Sequence, residues 1–153
     1  MTKKQQYEAL LPKIDALLAA ETDMIANMAN TTALLHETFQ FLWVGFYIVR
    51  QRQLILGPFQ GPVACTRIAP GRGVCGAAYT RGATIIVPDV AQYPGHIACN
   101  PRSKSEIVVP LIAPSRRVIA LLDIDSDTPA AFDDTDRTYL ERILHQWPTP
   151  RRR

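Results

Sequence analysis

Leu10, Leu11, Ile14, Leu17 and Leu18 recur at three- and four-residue spacing, which predicts an amphipathic helix between residue 5 and about residue 20. Pro12 interrupts the stripe, and the spacing therefore predicts a start near it, with the proline in the first turn. A second helix is expected after Asp23, which can cap it, with Met24, Ile25, Met28, Ala29, Leu34 and Leu35 as its apolar stripe. The pattern then becomes extended. Residues 43–49 and 53–56 read as two strands joined by a tight turn at 50–52.

Residues 57–73 hold four Gly and three Pro and are expected to form a long loop crossing the sheet. A short helix over 74–80 ends near Gly82, and Thr84-Ile85-Ile86-Val87 is a strand closed by Pro88-Asp89. A second irregular stretch runs from 88 to 104. Residues 106–112 and 118–125 form an antiparallel pair around a turn at 113–117. A last helix is predicted over 133–145, capped by Asp133, with Tyr139, Leu140, Ile143 and Leu144 facing inward. No internal repeat is present. Long loops inside a compact domain are where function concentrates, and the two irregular stretches carry Cys65 and Cys99.

A chain of 153 residues, 47% apolar and 20% charged, fits one soluble domain able to bury its own core. The net charge of +3 comes partly from Arg151-Arg152-Arg153, and residues 148–153 are expected to be a short, disordered basic tail. No basic patch interleaved with aromatics argues for a nucleic-acid partner. No apolar run approaches the roughly 18 residues of a membrane span. No apolar leader follows Lys3 and Lys4, so a cytoplasmic location is expected. In a reducing compartment three cysteines point to reactive, metal-binding or buried thiols rather than a structural disulfide framework.

Cys75 opens the short helix, where free N–H groups favour a thiolate, but its neighbours are small and apolar, and it reads as a buried packing thiol. Cys65 precedes Thr66-Arg67, and Cys99 lies between Gly95-His96-Ile97-Ala98 and Asn100-Pro101-Arg102. Nearby Arg or His favours the charged sulfur, which makes Cys99 the leading candidate for a reactive thiolate. Spacing alone does not place His96 against it. Two loop cysteines suit a pair in which one attacks a peroxide or sulfoxide and the other resolves. Zinc held by Cys65, Cys75, His96 and Cys99 is the competing arrangement, although no C-x-x-C knuckle is present.

Asp123 and Asp125 flank Ile124, so both carboxylates share one face of their strand, in the parity of Ile119 and Leu121. Hairpin pairing brings Glu106 towards them. Three adjacent carboxylates raise at least one pKa; they can hold an ammonium group or supply a general acid, or simply end a solvated strand. Trp43 and Tyr47, four apart, lie on one face, either as core or as a wall for a methyl or thioether group.

The runs Leu56-Gly57-Pro58-Phe59-Gln60-Gly61-Pro62-Val63-Ala64-Cys65-Thr66-Arg67-Ile68 and Gly71-Arg72-Gly73-Val74-Cys75-Gly76 resemble the GAF-type free methionine-(R)-sulfoxide reductases. So do Val87-Pro88-Asp89-Val90, Pro94-Gly95-His96-Ile97-Ala98-Cys99, Ser105-Glu106-Ile107-Val108-Val109-Pro110-Leu111 and Leu122-Asp123-Ile124-Asp125-Ser126. The turn at 113–117 looks short for the family. The resemblance implies an α+β fold over residues 1–147: a single GAF domain whose central antiparallel sheet carries helices on one face and loops around a ligand pocket on the other. It implies reduction of free methionine-(R)-sulfoxide, with Cys99 catalytic, Cys65 resolving and Cys75 a third cysteine of less consistent role. Glu106, Asp123 and Asp125 match carboxylates that contact substrate, and Trp43 and Tyr47 match an aromatic wall around its methyl end. Thioredoxin as reductant, a homodimer and no cofactor are expected. A GAF domain that only binds and regulates is the alternative.

Overall fold

The computed structural model describes residues 1–97 and 99–148. Of the tail expected at 148–153, residues 149–153 lie outside the described residues. Helix α1 (Lys3–Ala20) begins well before Pro12, which sits inside it on the exposed side. The Thr2 side chain accepts from the Gln5 N–H while Gln5 accepts from Thr2, a capping box that fixes the earlier start. Burial of Tyr7, Leu10, Leu11, Ile14 and Leu18 outweighs the ~3 kcal/mol that an interior proline costs a helix.

Helix α2 (Met24–Phe39) is capped by Asp23, as expected, and ends at Gln40 in the left-handed region. Its buried stripe differs from the expected one. Ile25 and Ala29 face solvent, while Asn27, Thr31 and Thr32 are buried beside Met28 and Leu35. Two of these polar groups bond locally, Thr32 to the Ala29 carbonyl and Asn27 to that of Glu21, which lowers the cost of burying them.

Six strands form one antiparallel sheet: β1 (Trp43–Arg50), β2 (Gln53–Gln60), β3 (Arg67–Ile68), β4 (Ile85–Val87), β5 (Ser105–Ile112) and β6 (Val118–Ser126). Their spatial order is β3-β2-β1-β6-β5-β4. The strand β2 runs through Gly57-Pro58-Phe59, residues whose composition predicts loop, and β3 lies within the same expected loop. A register shift between Gly45 and Tyr47 puts the extra residue of β2 there, and a bulge accommodates a proline that donates nothing to the ladder.

The sheet separates two apolar layers. On one side α1, α2 and α4 (Asp134–His145) cover Phe46, Leu122 and Ile124, with Leu140 and Ile143 of α4 in the same apolar layer. Asp133 caps α4 in a reciprocal box with Asp136. Asp136 is buried, and it accepts from Lys3 Nζ and from the Tyr7 hydroxyl, both at 2.6 Å, pinning α1 to the start of α4. Tyr139 is half-buried and stacks on Tyr7 at 5.0 Å.

On the other side Trp43, Tyr47, Val108 and Leu121 meet the loops and α3 (Gly73–Arg81), so one short helix shares the face expected for loops alone. Gly82, at φ 63°, ends α3 in the left-handed region and donates to the Ala78 carbonyl. In β6, Ala120, Leu122 and Ile124 face the three helices and Leu121 faces away. Ile119 departs from the expected parity: an irregularity beside Leu111 and Ile112 turns it to the helical side.

Candidate active site

Register across three central strands assembles the site. Trp43 of β1 stands opposite Asp125 of β6, and Asp125 stands opposite Glu106 of β5. One row further along, Gly45, Asp123 and Val108 align in the same way. Alternation along each strand sends Trp43, Asp123, Asp125 and Glu106 to the side away from the three long helices. Gly45 leaves room there, because a Cβ at this position would strike the Trp43 indole at 2.5 Å. Trp43 lies over Tyr47 with ring centroids 6.0 Å apart and donates from its indole nitrogen to the Pro62 carbonyl. The Tyr47 hydroxyl donates to the carbonyl of Cys65 at 2.8 Å. Burial first, then the neighbouring carboxylates and Cys75, keeps that phenol protonated.

Cys65 and Cys99 are joined by a disulfide with 5.5 Å between their Cα atoms. It ties the segment after β2 to the segment before β5, and both cysteines are partly exposed. Their sulfurs are thereby removed from the four-ligand zinc arrangement, which the structure does not assemble. Cys75 is the free cysteine, buried at 3% exposure on the first turn of α3. Burial raises its pKa well above the thiol range, and Asp123, Glu106 and Asp125 raise it further. Cys75 therefore remains a neutral thiol despite the helix N-terminus. Among the described residues its sulfur and oxygens of Glu106 and Asp123 lie within 4.8 Å of one another, the set that could hold a metal ion.

Among the described residues no Lys or Arg forms an ion pair with these acids. Burial, then the charge of Asp125, pushes the Glu106 carboxyl up to about 8. Burial and Glu106 hold Asp123 well above the carboxylate range, and burial and Asp123 do the same for Asp125. Ser103 donates to Asp125 Oδ1 at 3.1 Å and opposes that rise. Asp123 Oδ1 is buried without a hydrogen-bond partner. His96 Nε2 lies 3.1 Å from Glu106 Oε1, so the histidine of the Cys99 segment engages the acid cluster rather than the sulfur.

Trp43, Tyr47, Cys75, Cys99, Glu106, Asp123 and Asp125 line one cleft. Cys65 lies at its edge through the disulfide. Val63, Ala64, Arg72, Ile97 and Asn100 also line it and were not singled out from sequence, because loop positions carry no period that reveals which way they face. Ser103 was also missed; its proximity to Cys99 was the available signal. An apolar wall facing buried acids, with a sulfur at the rim, suits a small ligand bearing an amine and an apolar sulfur-containing end.

The GAF domain family matches residues 20–147. A free methionine-R-sulfoxide reductase of Escherichia coli is 44% identical over 147 residues, covering 95% of this chain and 88% of that protein. The chain belongs to the GAF family that includes the free methionine-R-sulfoxide reductases. GAF domain-containing protein A of Dictyostelium discoideum is 56% identical, with 94% and 90% coverage. Among solved structures, the free methionine-R-sulfoxide reductase of Neisseria meningitidis in complex with its substrate superposes with a TM-score of 0.93 at 50% identity, covering 95% of this GAF chain and 88% of that one. The fold is a single α+β GAF domain, and its named relatives support an oxidoreductase. No helix among the described residues is long and apolar enough to cross a membrane.

Proposed function

We propose that this GAF domain reduces free methionine-R-sulfoxide through Cys99, with Cys65 as its resolving partner. The observation that carries this reading is the convergence of Cys99, the aromatic pair, the buried carboxyls of Glu106 and Asp123 and the half-buried Asp125 on one cleft. Trp43 and Tyr47 hold the methylsulfinyl end. An ionised member of the acid cluster receives the α-ammonium, and a peptide-bound residue, lacking that charge, is rejected. A protonated member, assigned to Glu106, donates to the sulfoxide oxygen.

The Cys99 thiolate attacks the sulfoxide sulfur as the oxygen takes a proton. The S–O bond of the adduct breaks as its protonated oxygen leaves as water, and a water attacks the Cys99 sulfur and breaks the S–S bond; methionine leaves, its sulfur reduced by two electrons, and Cys99 is oxidised to sulfenic acid. The Cys65 thiol then displaces water from that sulfenic acid and forms the Cys65–Cys99 disulfide, the state described above. A thioredoxin dithiol attacks the partly exposed disulfide and restores both thiols. Cys75 packs the cleft as a neutral thiol. No cofactor enters these steps. The catalytic unit is residues 1–147, acting in the cytoplasm as a homodimer.

Incubation with thioredoxin, its reductase and NADPH, comparing free R- and S-methionine sulfoxide, tests the reading. NADPH consumption confined to the R epimer is expected. No consumption with either epimer overturns it.

A further inference from the structure

Reduction by the proposed route consumes one proton per turnover at the sulfoxide oxygen, and a buried carboxyl that donates it must be reloaded. Glu106 has only 7% of its side chain exposed, so direct exchange with solvent is restricted. Its covering group is His96, whose ring nitrogen Nε2 lies 3.1 Å from Glu106 Oε1 while 13% of its side chain stays in solvent. Imidazole is the side chain whose ordinary titration range suits proton exchange near neutrality. The disulfide state, in which this contact is seen, follows proton donation in the proposed sequence.

We propose that His96 relays a proton from solvent to Glu106 between turnovers, acting as a positioning and proton-return residue rather than as the base of Cys99. This rests on the assignment of Glu106 as the acid. The His96 imidazolium gives its Nε2 proton to the Glu106 carboxylate at Oε1, leaving a neutral imidazole and a neutral carboxyl, and a proton from solvent returns the imidazolium, so no electrons move and charge balances. The ionisable groups of the cleft that Glu106 of β5 shares are Tyr47 on β1, Asp123 and Asp125 on β6, Cys75 on α3, and Arg72. Burial favours the neutral imidazole and Asp123 favours the protonated one, an opposition that suits a group required to pass through both forms.

The contact also explains a placement. His96 precedes Cys99 by three residues and Ser103 follows it by four, and both side chains anchor to the acid cluster, His96 to Glu106 and Ser103 to Asp125. The segment bearing the sulfur is thus held at either end by acids that touch the substrate.

Methionine release from free R-sulfoxide is to be followed in the first turnover and in the steady state, with saturating dithiothreitol, for wild type, His96→Gln and His96→Ala. Glutamine can hold the hydrogen bond but cannot carry a proton; alanine leaves space for added imidazole. For His96→Gln, which keeps the hydrogen bond to Glu106, the steady-state rate is expected to fall about tenfold further than the first-turnover rate, because Glu106 starts loaded and is not reloaded. The deficit widens as pH rises towards about 8, and imidazole in the buffer restores the alanine variant. Unchanged steady-state rates overturn the relay, as does an equal loss in both phases that imidazole leaves untouched. Failure of the wild type to release methionine instead overturns the proposed function.

Discussion

Trp43 and Asp125 stand directly opposite each other on adjacent strands, so the indole and one carboxylate of the cluster are set by the same rung of the sheet. The spacing between the apolar and charged ends of a ligand is consequently fixed by backbone register, not by loop conformation. Trp43→Ala removes the wall while leaving the acids in place. Loss of about 1.5 kcal/mol of aromatic contact predicts roughly a tenfold rise in KM for the free sulfoxide, measured in steady state.

Cys99→Ser should abolish methionine release. Cys65→Ser should release about one methionine per chain in a single-turnover assay and then stall, since the sulfenic acid has lost its partner. Sustained thioredoxin-dependent turnover by Cys65→Ser would remove the resolving role from that residue.

The acid cluster makes stability depend on pH. Glu106 has a folded-state pKa of about 8, against an ordinary value of 4.5, so between these limits the folded chain binds a proton that the unfolded chain releases. The stability this group contributes is greatest below the ordinary value and falls as pH rises towards about 8. Thermal melting of the ligand-free protein should show that decline, and Glu106→Gln should flatten part of it. A melting temperature that rises across the same window would contradict the burial argument.

How much of this was legible from sequence differs by element. The approach of Glu106 to the Asp123 and Asp125 pair followed from hairpin geometry, because two strands with a short turn leave little freedom of register; that Asp125 is its direct partner did not. The cap at Asp23 and the end at Gly82 followed from local chemistry. Pro12 misled because proline marks a helix start only where burial does not override it, and five buried side chains of α1 do. Residues 57–60 misled because Gly and Pro read as loop, whereas the β1–β2 bulge absorbs them into a strand. His96 could be seen near Cys99 in sequence, but that it reaches Glu106 depends on how an irregular segment folds back, for which no periodic signal exists.

Asp136 offers a test of the fold apart from the chemistry. Its carboxylate is buried, accepts from the Asp133 N–H to close the capping box of α4, and accepts from Lys3 and Tyr7 of α1. Asp136→Ala leaves these groups unmatched and should cost about 3 kcal/mol in denaturant unfolding. Turnover per folded molecule should remain close to wild type.

The sheet acts as a partition with different demands on its two sides. Phe46, Leu122 and Ile124 point to the face that supplies mechanical support, while their immediate sequence neighbours Gly45, Asp123 and Asp125 lie on the face of the candidate cleft. Alternation therefore lets consecutive codons answer to different pressures. An engineer can redesign the helical face for heat resistance, position by position, with the reactive surface one residue away left unedited.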